Sequence, residues 1–136
     1  MSEFNGRIVL VTGAASGIGR SVALEPAPRG SSVGVANKPG YTASKHAIVG
    51  LTRANALQYA REGISINAVC PGAVDTPMLD ANLSDSSQKS LVAANHPIRR
   101  LATSEDITAA ILWLCSDASA YVTGQALAVD GGLTVQ

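Results

Sequence analysis

The chain has 136 residues, and ten lysines and arginines balance ten aspartates and glutamates, so its formal net charge is zero. This length and the 46% hydrophobic content predict one folded domain over residues 1–136 rather than a disordered chain. The neutral balance, the lack of an apolar run of ~18 residues and the lack of a signal-like N-terminus predict a cytoplasmic protein without a nucleic-acid or membrane partner.

The first predicted unit is a strand followed by a glycine-rich turn. Residues 7–12 form an unbroken, β-branched apolar run, which is typical of a strand buried on both faces of a parallel sheet. Residues 13–19 then space their glycines as GxxxGxG, and a short helix over 18–24 is stopped by Pro26. Free N–H groups at such a helix start can bind a diphosphate, although a plain structural turn uses the same residues.

A long helix is predicted over residues 41–61, after a Gly- and Pro-rich junction at 25–40 that holds one weak strand at 32–36. Tyr41 and Lys45 are four residues apart on this helix and so share one face. An ammonium group near a phenol favours the phenolate and lowers the phenol pKa toward neutral pH. The pair could therefore exchange a proton with an alcohol or a carbonyl, although a YxxxK spacing also arises by chance.

The next predicted strand, residues 64–69, is followed directly by Pro71 and Gly72. In open α/β sheets ligands bind at the carboxyl ends of strands, so this turn is a candidate binding segment, with an ordinary β-turn as the alternative. Residues 75–102 are polar and predict a loop with at most one irregular helix, in which His96 and Pro97 lie.

The C-terminal part predicts one more helix and one more strand. Hydroxyl and acidic residues at 103–106 are typical of a helix start, and the apolar positions that follow at helical spacing predict a core face. Trp113 and the two cysteines are predicted to be core residues, and no residue set has metal-ligand spacing. The strand at 126–129 ends at Asp130, and the whole order of elements predicts an α/β layered domain.

Taken together and in this order, the three motifs resemble the short-chain dehydrogenase/reductase family. The resemblance covers residues 5–24 and about 31–135. It implies a Rossmann-like, doubly wound parallel sheet of the α/β class, and an NAD- or NADP-dependent oxidoreductase acting on a small alcohol or carbonyl substrate. It also implies a homodimer or homotetramer formed through the helix that carries Tyr41 and Lys45.

The resemblance also assigns roles to individual residues. Tyr41 is the implied general acid/base, Lys45 lowers its pKa and binds the nicotinamide ribose, and Ser32 polarises the substrate carbonyl. Residues 77–102 form the implied substrate lid. The remaining implied cofactor-binding residues are Gly13, Ser16, Gly17, Ile18 and Gly19 on the adenosine and diphosphate side, and Pro71, Gly72, Val74 and Thr76 beside the nicotinamide.

The sequence departs from the family pattern in its middle. Between the Gly-rich βα unit at 1–24 and the catalytic segment at 41–136, the shortened junction at 25–40 replaces the central strands, so the implied sheet is truncated. The residue that selects NAD or NADP belongs to the missing part. The alternatives are an inactive remnant that acts only as a dimerising fold, and a phosphate-binding module, which the lack of a Walker lysine disfavours.

Overall fold

The computed structural model describes residues 39–83 and 85–136, with Pro39 and Tyr41 described by their backbone alone. The helices are α1 (Pro39–Tyr59), α2 (Pro77–Ala81), α3 (Ser86–Ala94) and α4 (Ser104–Leu114), and the strands are β1 (Ala68–Pro71) and β2 (Ala126–Val129). Single 3₁₀ turns lie at Ala60–Glu62 and Asp117–Ser119. The predicted strand at 7–12, the glycine-rich turn, the helix at 18–24 and the weak strand at 32–36 lie outside the described residues.

Helix α1 confirms the helix predicted over residues 41–61. After Tyr59 the helix tightens into a 3₁₀ turn, and Gly63 ends it with a φ of 75°. In this left-handed conformation, which glycine adopts most readily, the Gly63 N–H donates to the Ala60 carbonyl at 3.1 Å. Helix α1 packs against β1, and Thr52 and Ala56, one turn apart, are buried.

The two described strands form a parallel pair, with Ala68 opposite Ala126 and Pro71 opposite Val129. The connection between them contains α2, α3 and α4, and α4 packs against both strands. A helical crossover of this kind is what parallel strands require. The arrangement confirms an α/β domain with a parallel sheet, and β2 has the bounds that the sequence predicts.

The strand predicted over 64–69 is wrong in its bounds, because pairing begins only at Ala68 and continues to Pro71. The Asn67 amide explains the late start. Its Nδ2 donates to the Val122 carbonyl at 2.9 Å, and its Oδ1 accepts from the Gln125 N–H at 3.0 Å. At residue 67 side-chain hydrogen bonds therefore interrupt the regular strand pairing, although the Gly124 N–H still donates to the Ile66 carbonyl at 2.8 Å.

The segment predicted as a loop with at most one irregular helix contains two helices instead. The Thr76 hydroxyl caps α2 by accepting from the Leu79 N–H at 3.4 Å, and Pro77 occupies the first turn. The Asp85 carboxylate caps α3, accepting from the N–H groups of Ser87 and Gln88 at 2.8 and 3.0 Å. These caps start helices in a sequence too polar to show an apolar stripe.

Helix α4 confirms the predicted helix start and core face. The Asp106 N–H donates to the Thr103 hydroxyl and the Thr103 N–H donates to the Asp106 carboxylate, which forms a reciprocal capping box. Ile107 is only 1% exposed and anchors the helix on the strands. The prediction of Trp113 as a core residue is wrong, because 41% of it is exposed.

Candidate active site at the carboxyl end of the strand pair

The residues that follow β1 form a continuous buried segment. Pro71, Gly72, Ala73 and Val74 are all buried. The Gly72 N–H donates to the Val129 carbonyl at 3.1 Å. The Ala73 carbonyl accepts from the Ala102 N–H at 2.9 Å, and the Ala102 carbonyl accepts from the Asp75 N–H at 2.9 Å. Hydrogen bonds from β2 and from residue 102 thus hold this segment.

Val74 presents a backbone donor on the side away from Ala102. The carbonyl and N–H of a trans peptide point in opposite directions, so the Ala73–Val74 peptide, whose carbonyl binds Ala102, directs the Val74 N–H the other way. Val74 is 3% exposed, and its N–H makes no hydrogen bond with another residue of 39–83 or 85–136.

Thr76 ends the candidate binding segment and begins α2. Its hydroxyl donates to the Val74 carbonyl at 3.4 Å, in addition to capping α2. The one hydroxyl therefore contacts both the buried segment, at Val74, and the first turn of α2, where the predicted lid begins.

Lys45 of α1 lies at the same end of the strand pair. Partial burial lowers the pKa of Lys45, and Cys70, in its thiolate form, opposes that change. Burial raises the pKa of the Cys70 thiol, the Asp130 carboxylate raises it further, and Lys45 lowers it. Lys45 of α1 and Asp130, just beyond β2, thus both act electrostatically on Cys70 at the end of β1. Tyr41 lies one turn before Lys45 in the α1 backbone, as the spacing predicts.

Two buried polar residues of this region are not predicted from the sequence. His96 is 3% exposed; its Nε2 accepts from the Ala73 N–H at 3.1 Å and its Nδ1 lies 2.8 Å from the Val92 carbonyl. Asp130 is 8% exposed, and its carboxylate accepts from the N–H groups of Gly132 and Thr134. The Asp-Gly-Gly sequence indicates a turn in which Asp130 binds the backbone, whereas the His-Pro pair at His96 indicates only a loop.

The other predicted site residues lie outside the described part of the chain: Gly13, Ser16, Gly17, Ile18, Gly19 and Ser32. Among the predicted site residues that the structure describes, Pro71, Gly72, Val74 and Thr76 lie in one segment after β1, and Lys45 interacts electrostatically with Cys70 at the end of that strand. Among residues 39–83 and 85–136, no group of three or more His, Cys, Asp or Glu side chains could hold a metal ion. No helix in that same part is long and apolar enough to cross a membrane.

Comparisons with known proteins extend this description. Residues 27–134 match the family model described as enoyl-(acyl carrier protein) reductase. The chain is 45% identical to 2,5-dichloro-2,5-cyclohexadiene-1,4-diol dehydrogenase of Sphingobium indicum over 103 residues. This alignment covers 75% of this chain and 41% of the Sphingobium protein.

Two solved structures are similar in fold as well as in sequence. A short-chain dehydrogenase family protein of Francisella tularensis has a TM-score of 0.70 at 32% identity, over 76% of this chain and 47% of that one. The second is an Agrobacterium tumefaciens protein with bound NADP, provisionally assigned as a 2-deoxy-d-gluconate 3-dehydrogenase. It has a TM-score of 0.67 at 39% identity, over 72% of this chain and 40% of that one. The predicted Rossmann-like fold class is confirmed, although the chain spans less than half of the length of each relative. The chain belongs to the short-chain dehydrogenase/reductase family.

Proposed function

We propose that this protein is an NAD(P)-dependent oxidoreductase that transfers a hydride between the nicotinamide cofactor and a small alcohol or ketone. Tyr41 is the proposed general acid/base and Lys45 its assistant. The observation that carries the proposal is the position of Lys45, one helical turn after Tyr41 and in electrostatic reach of Cys70 at the carboxyl end of β1. That edge of a parallel sheet is where α/β enzymes bind their ligands.

The chain's own residues fit a nicotinamide group. The buried Val74 N–H, without a partner among the described residues, suits a carboxamide oxygen. Pro71 and Gly72, both buried, precede Val74 in the same segment, and Thr76 ends it. When bound, the cofactor supplies or accepts the hydride.

The remaining cofactor contacts are proposed on the family pattern. Ser32 would polarise the substrate carbonyl. The adenosine and diphosphate side would be held by Gly13, Ser16, Gly17, Ile18 and Gly19.

The electrostatics of Lys45 favour its proposed role. A cation that is partly removed from water is screened less, so its field on a neighbouring phenol is stronger than at the surface. With Lys45 charged, the phenolate of Tyr41 is stabilised and can take the proton of an alcohol. In the reverse direction the phenol donates a proton to the oxygen of a ketone.

The relatives support the class of substrate. The Sphingobium protein is named as a dehydrogenase of a cyclic diol, and the Agrobacterium structure holds NADP. We therefore propose a small secondary alcohol, cyclic or polyhydroxylated, as the substrate of this chain.

A second copy of the chain is the proposed partner. Ile48 and Leu51 of α1 lie three residues apart and are 40% and 60% exposed, so they form an apolar strip on the helix that carries Tyr41 and Lys45. Burying such a strip against its symmetry mate is favourable. Analytical ultracentrifugation of the chain and of Leu51→Lys tests this, and a monomeric wild-type chain contradicts it.

The function is tested by titrating the 136-residue chain with NADH and with NADPH while nicotinamide fluorescence is recorded. We expect saturable binding of at least one of them, and cofactor-dependent oxidation within a panel of cyclic alcohols and polyols. If neither nucleotide binds at millimolar concentration, the oxidoreductase proposal fails and the inactive, dimerising alternative is supported.

A further inference from the structure

We propose that His96 is a positioning residue that holds the Gly72–Val74 segment in the orientation needed for the Val74 N–H to reach the cofactor. The inference rests on the proposed function and adds to it a residue that contacts neither substrate nor cofactor. It is carried by two hydrogen bonds of a buried imidazole and by the packing of that ring on Gly72.

The two hydrogen bonds determine the protonation of the ring. The Val92 carbonyl, 2.8 Å from Nδ1, can only accept, and the Ala73 N–H, 3.1 Å from Nε2, can only donate. Nδ1 therefore carries the proton and Nε2 is the acceptor, so the ring is a neutral imidazole. The His96 ring thus bridges two backbone groups, the Val92 carbonyl of α3 and the Ala73 N–H of the buried segment.

The ring also determines which residue can follow Pro71. A Cβ atom added to Gly72 would lie 2.9 Å from His96 Nε2 and 3.0 Å from the Cα of Asp130. The imidazole and the backbone beyond β2 thus enclose Gly72. Because the ring occupies the space of a side chain, it can approach the backbone closely enough to bind the next amide.

The consequence reaches Val74 through two consecutive peptides. His96 holds the N–H of the Gly72–Ala73 peptide, and Ala102 holds the carbonyl of the Ala73–Val74 peptide. With both peptide planes held, the Val74 N–H keeps one direction before any ligand arrives. Preorganised donors of this kind bind a ligand without a further cost of ordering the backbone.

Two substitutions separate positioning from packing. In His96→Gln the side-chain oxygen can take the place of Nε2 and accept from the Ala73 N–H. In His96→Asn the shorter amide can reach only the Val92 carbonyl, so the Ala73 N–H loses its acceptor. Both variants replace an aromatic ring by a primary amide, and so they match each other in polarity.

The first measurement is hydrogen exchange of the Ala73 amide by NMR in the ligand-free chain. We expect exchange at least tenfold faster in His96→Asn and near the wild-type rate in His96→Gln, since a lost buried hydrogen bond is typically worth about a factor of ten. Equal exchange rates in all three proteins would overturn the proposal, whether or not the chain binds a nucleotide. If His96→Asn does not fold, slow Ala73 exchange in His96→Gln supports the proposal and exchange as fast as in the unfolded chain overturns it.

The second measurement is the Kd for whichever of NADH and NADPH the wild-type chain binds, with the KM for the alcohol measured alongside. We expect about a tenfold higher Kd in His96→Asn, rescue in His96→Gln and an unchanged alcohol KM. If the wild-type chain binds neither nucleotide, the proposed function fails, and the exchange experiment decides the role of His96. If the wild-type chain binds and both variants bind equally well, only the present inference fails.

Discussion

The Lys89 ammonium lies 2.6 Å from Asp75 Oδ1 and 3.0 Å from Asp80 Oδ1. One cation thereby ties α3 both to α2 and to the turn that follows the buried segment. Hydrogen bonds to Asp75 first and then to Asp80 raise the pKa of Lys89, so its ammonium stays charged at neutral pH. The three residues lie within or next to residues 77–102, the segment predicted as the substrate lid.

Lys89→Met should loosen α2 and α3 without changing the unfolding temperature much, because exposed ion pairs contribute little to global stability. We expect faster proteinase K cleavage within residues 77–95, read by mass spectrometry. Arg53→Met, which removes an exposed cation from α1, is the control and should leave cleavage unchanged. Added salt screens the ion pairs, so it should raise the cleavage rate of the wild-type chain toward that of Lys89→Met. Identical cleavage rates for the two proteins at low salt would refute the prediction.

Gly72→Ala should destabilise the chain by about 1–3 kcal/mol, since the added methyl meets His96 and the Asp130 backbone at 3.0 Å or less. Gly50→Ala is the matched control: it lies within α1 and an added Cβ meets nothing within 4 Å. That change should stabilise the chain by about 0.5–1 kcal/mol, because alanine loses less backbone entropy in a helix. Urea denaturation followed by circular dichroism measures both; a loss of similar size in the two variants would contradict the close packing at Gly72.

Asp106→Asn should make the stability of the folded chain less dependent on pH in acid solution. A hydrogen bond from Arg100, then one from the Thr103 backbone, holds the pKa of Asp106 far below its usual range. A carboxylate whose pKa is lowered in the folded state stabilises the fold above about pH 4, and this contribution is lost as the pH falls further. The wild-type chain should thus lose stability below about pH 4 more steeply than the variant.

The control for that experiment is Thr103→Ala, which removes a neutral cap. It should cost about 1 kcal/mol near neutral pH and change the acid end much less than Asp106→Asn does, because the Thr103 hydroxyl is the smallest of the causes that lower the pKa of Asp106. Thermal unfolding between pH 2 and pH 7 separates the two behaviours, and parallel profiles for Asp106→Asn and the wild-type chain would show that the ion pair does not act on stability.

Tyr41→Phe should lower kcat by a factor of about 10²–10⁴, since it removes the proposed proton donor while leaving the ring. Tyr121→Phe removes a hydroxyl from a fully exposed side chain and should leave kcat unchanged. Steady-state kinetics with the best alcohol of the panel compares them. Full turnover by Tyr41→Phe overturns the assignment of Tyr41.

Lys45→Met should shift the pH dependence of alcohol oxidation to higher pH. The phenolate is the reactive base in this direction, so kcat/KM rises as the phenol loses its proton. Without the nearby cation the phenol pKa is higher, and more alkaline solution is needed for the same rate. A profile of unchanged position with only a lower plateau would mean that Lys45 serves cofactor binding alone.

Local patterns in the sequence were enough for α1, α4 and β2. The hydroxyl and acidic residues at 103–106 and the apolar spacing from Ile107 onward predict α4 because capping and helix periodicity involve neighbours in the chain. Gly63 ends α1 for the same local reason. The family resemblance likewise depends on short motifs, and the matched residues 27–134 confirm it.

The start of β1 and the helices of the predicted lid could not be read in this way. Asn67 is bonded to Val122 and Gln125, partners that lie more than 50 residues away, so the strand pattern at 64–69 is misleading. Polar helices capped by Thr76 and Asp85 have no apolar stripe that would reveal them.

The sequence by itself therefore determined the family and the main helices, and it spaced Tyr41 and Lys45 one turn apart on one of them. Only the tertiary structure decided that the His96 ring lies buried against Gly72 and Ala73, that Lys89 joins two carboxylates, and that the Val74 N–H points away from Ala102. The physical reason is that hydrogen bonds and packing between distant segments depend on how the chain is folded in space, whereas capping, periodicity and motif spacing depend on residues a few positions apart.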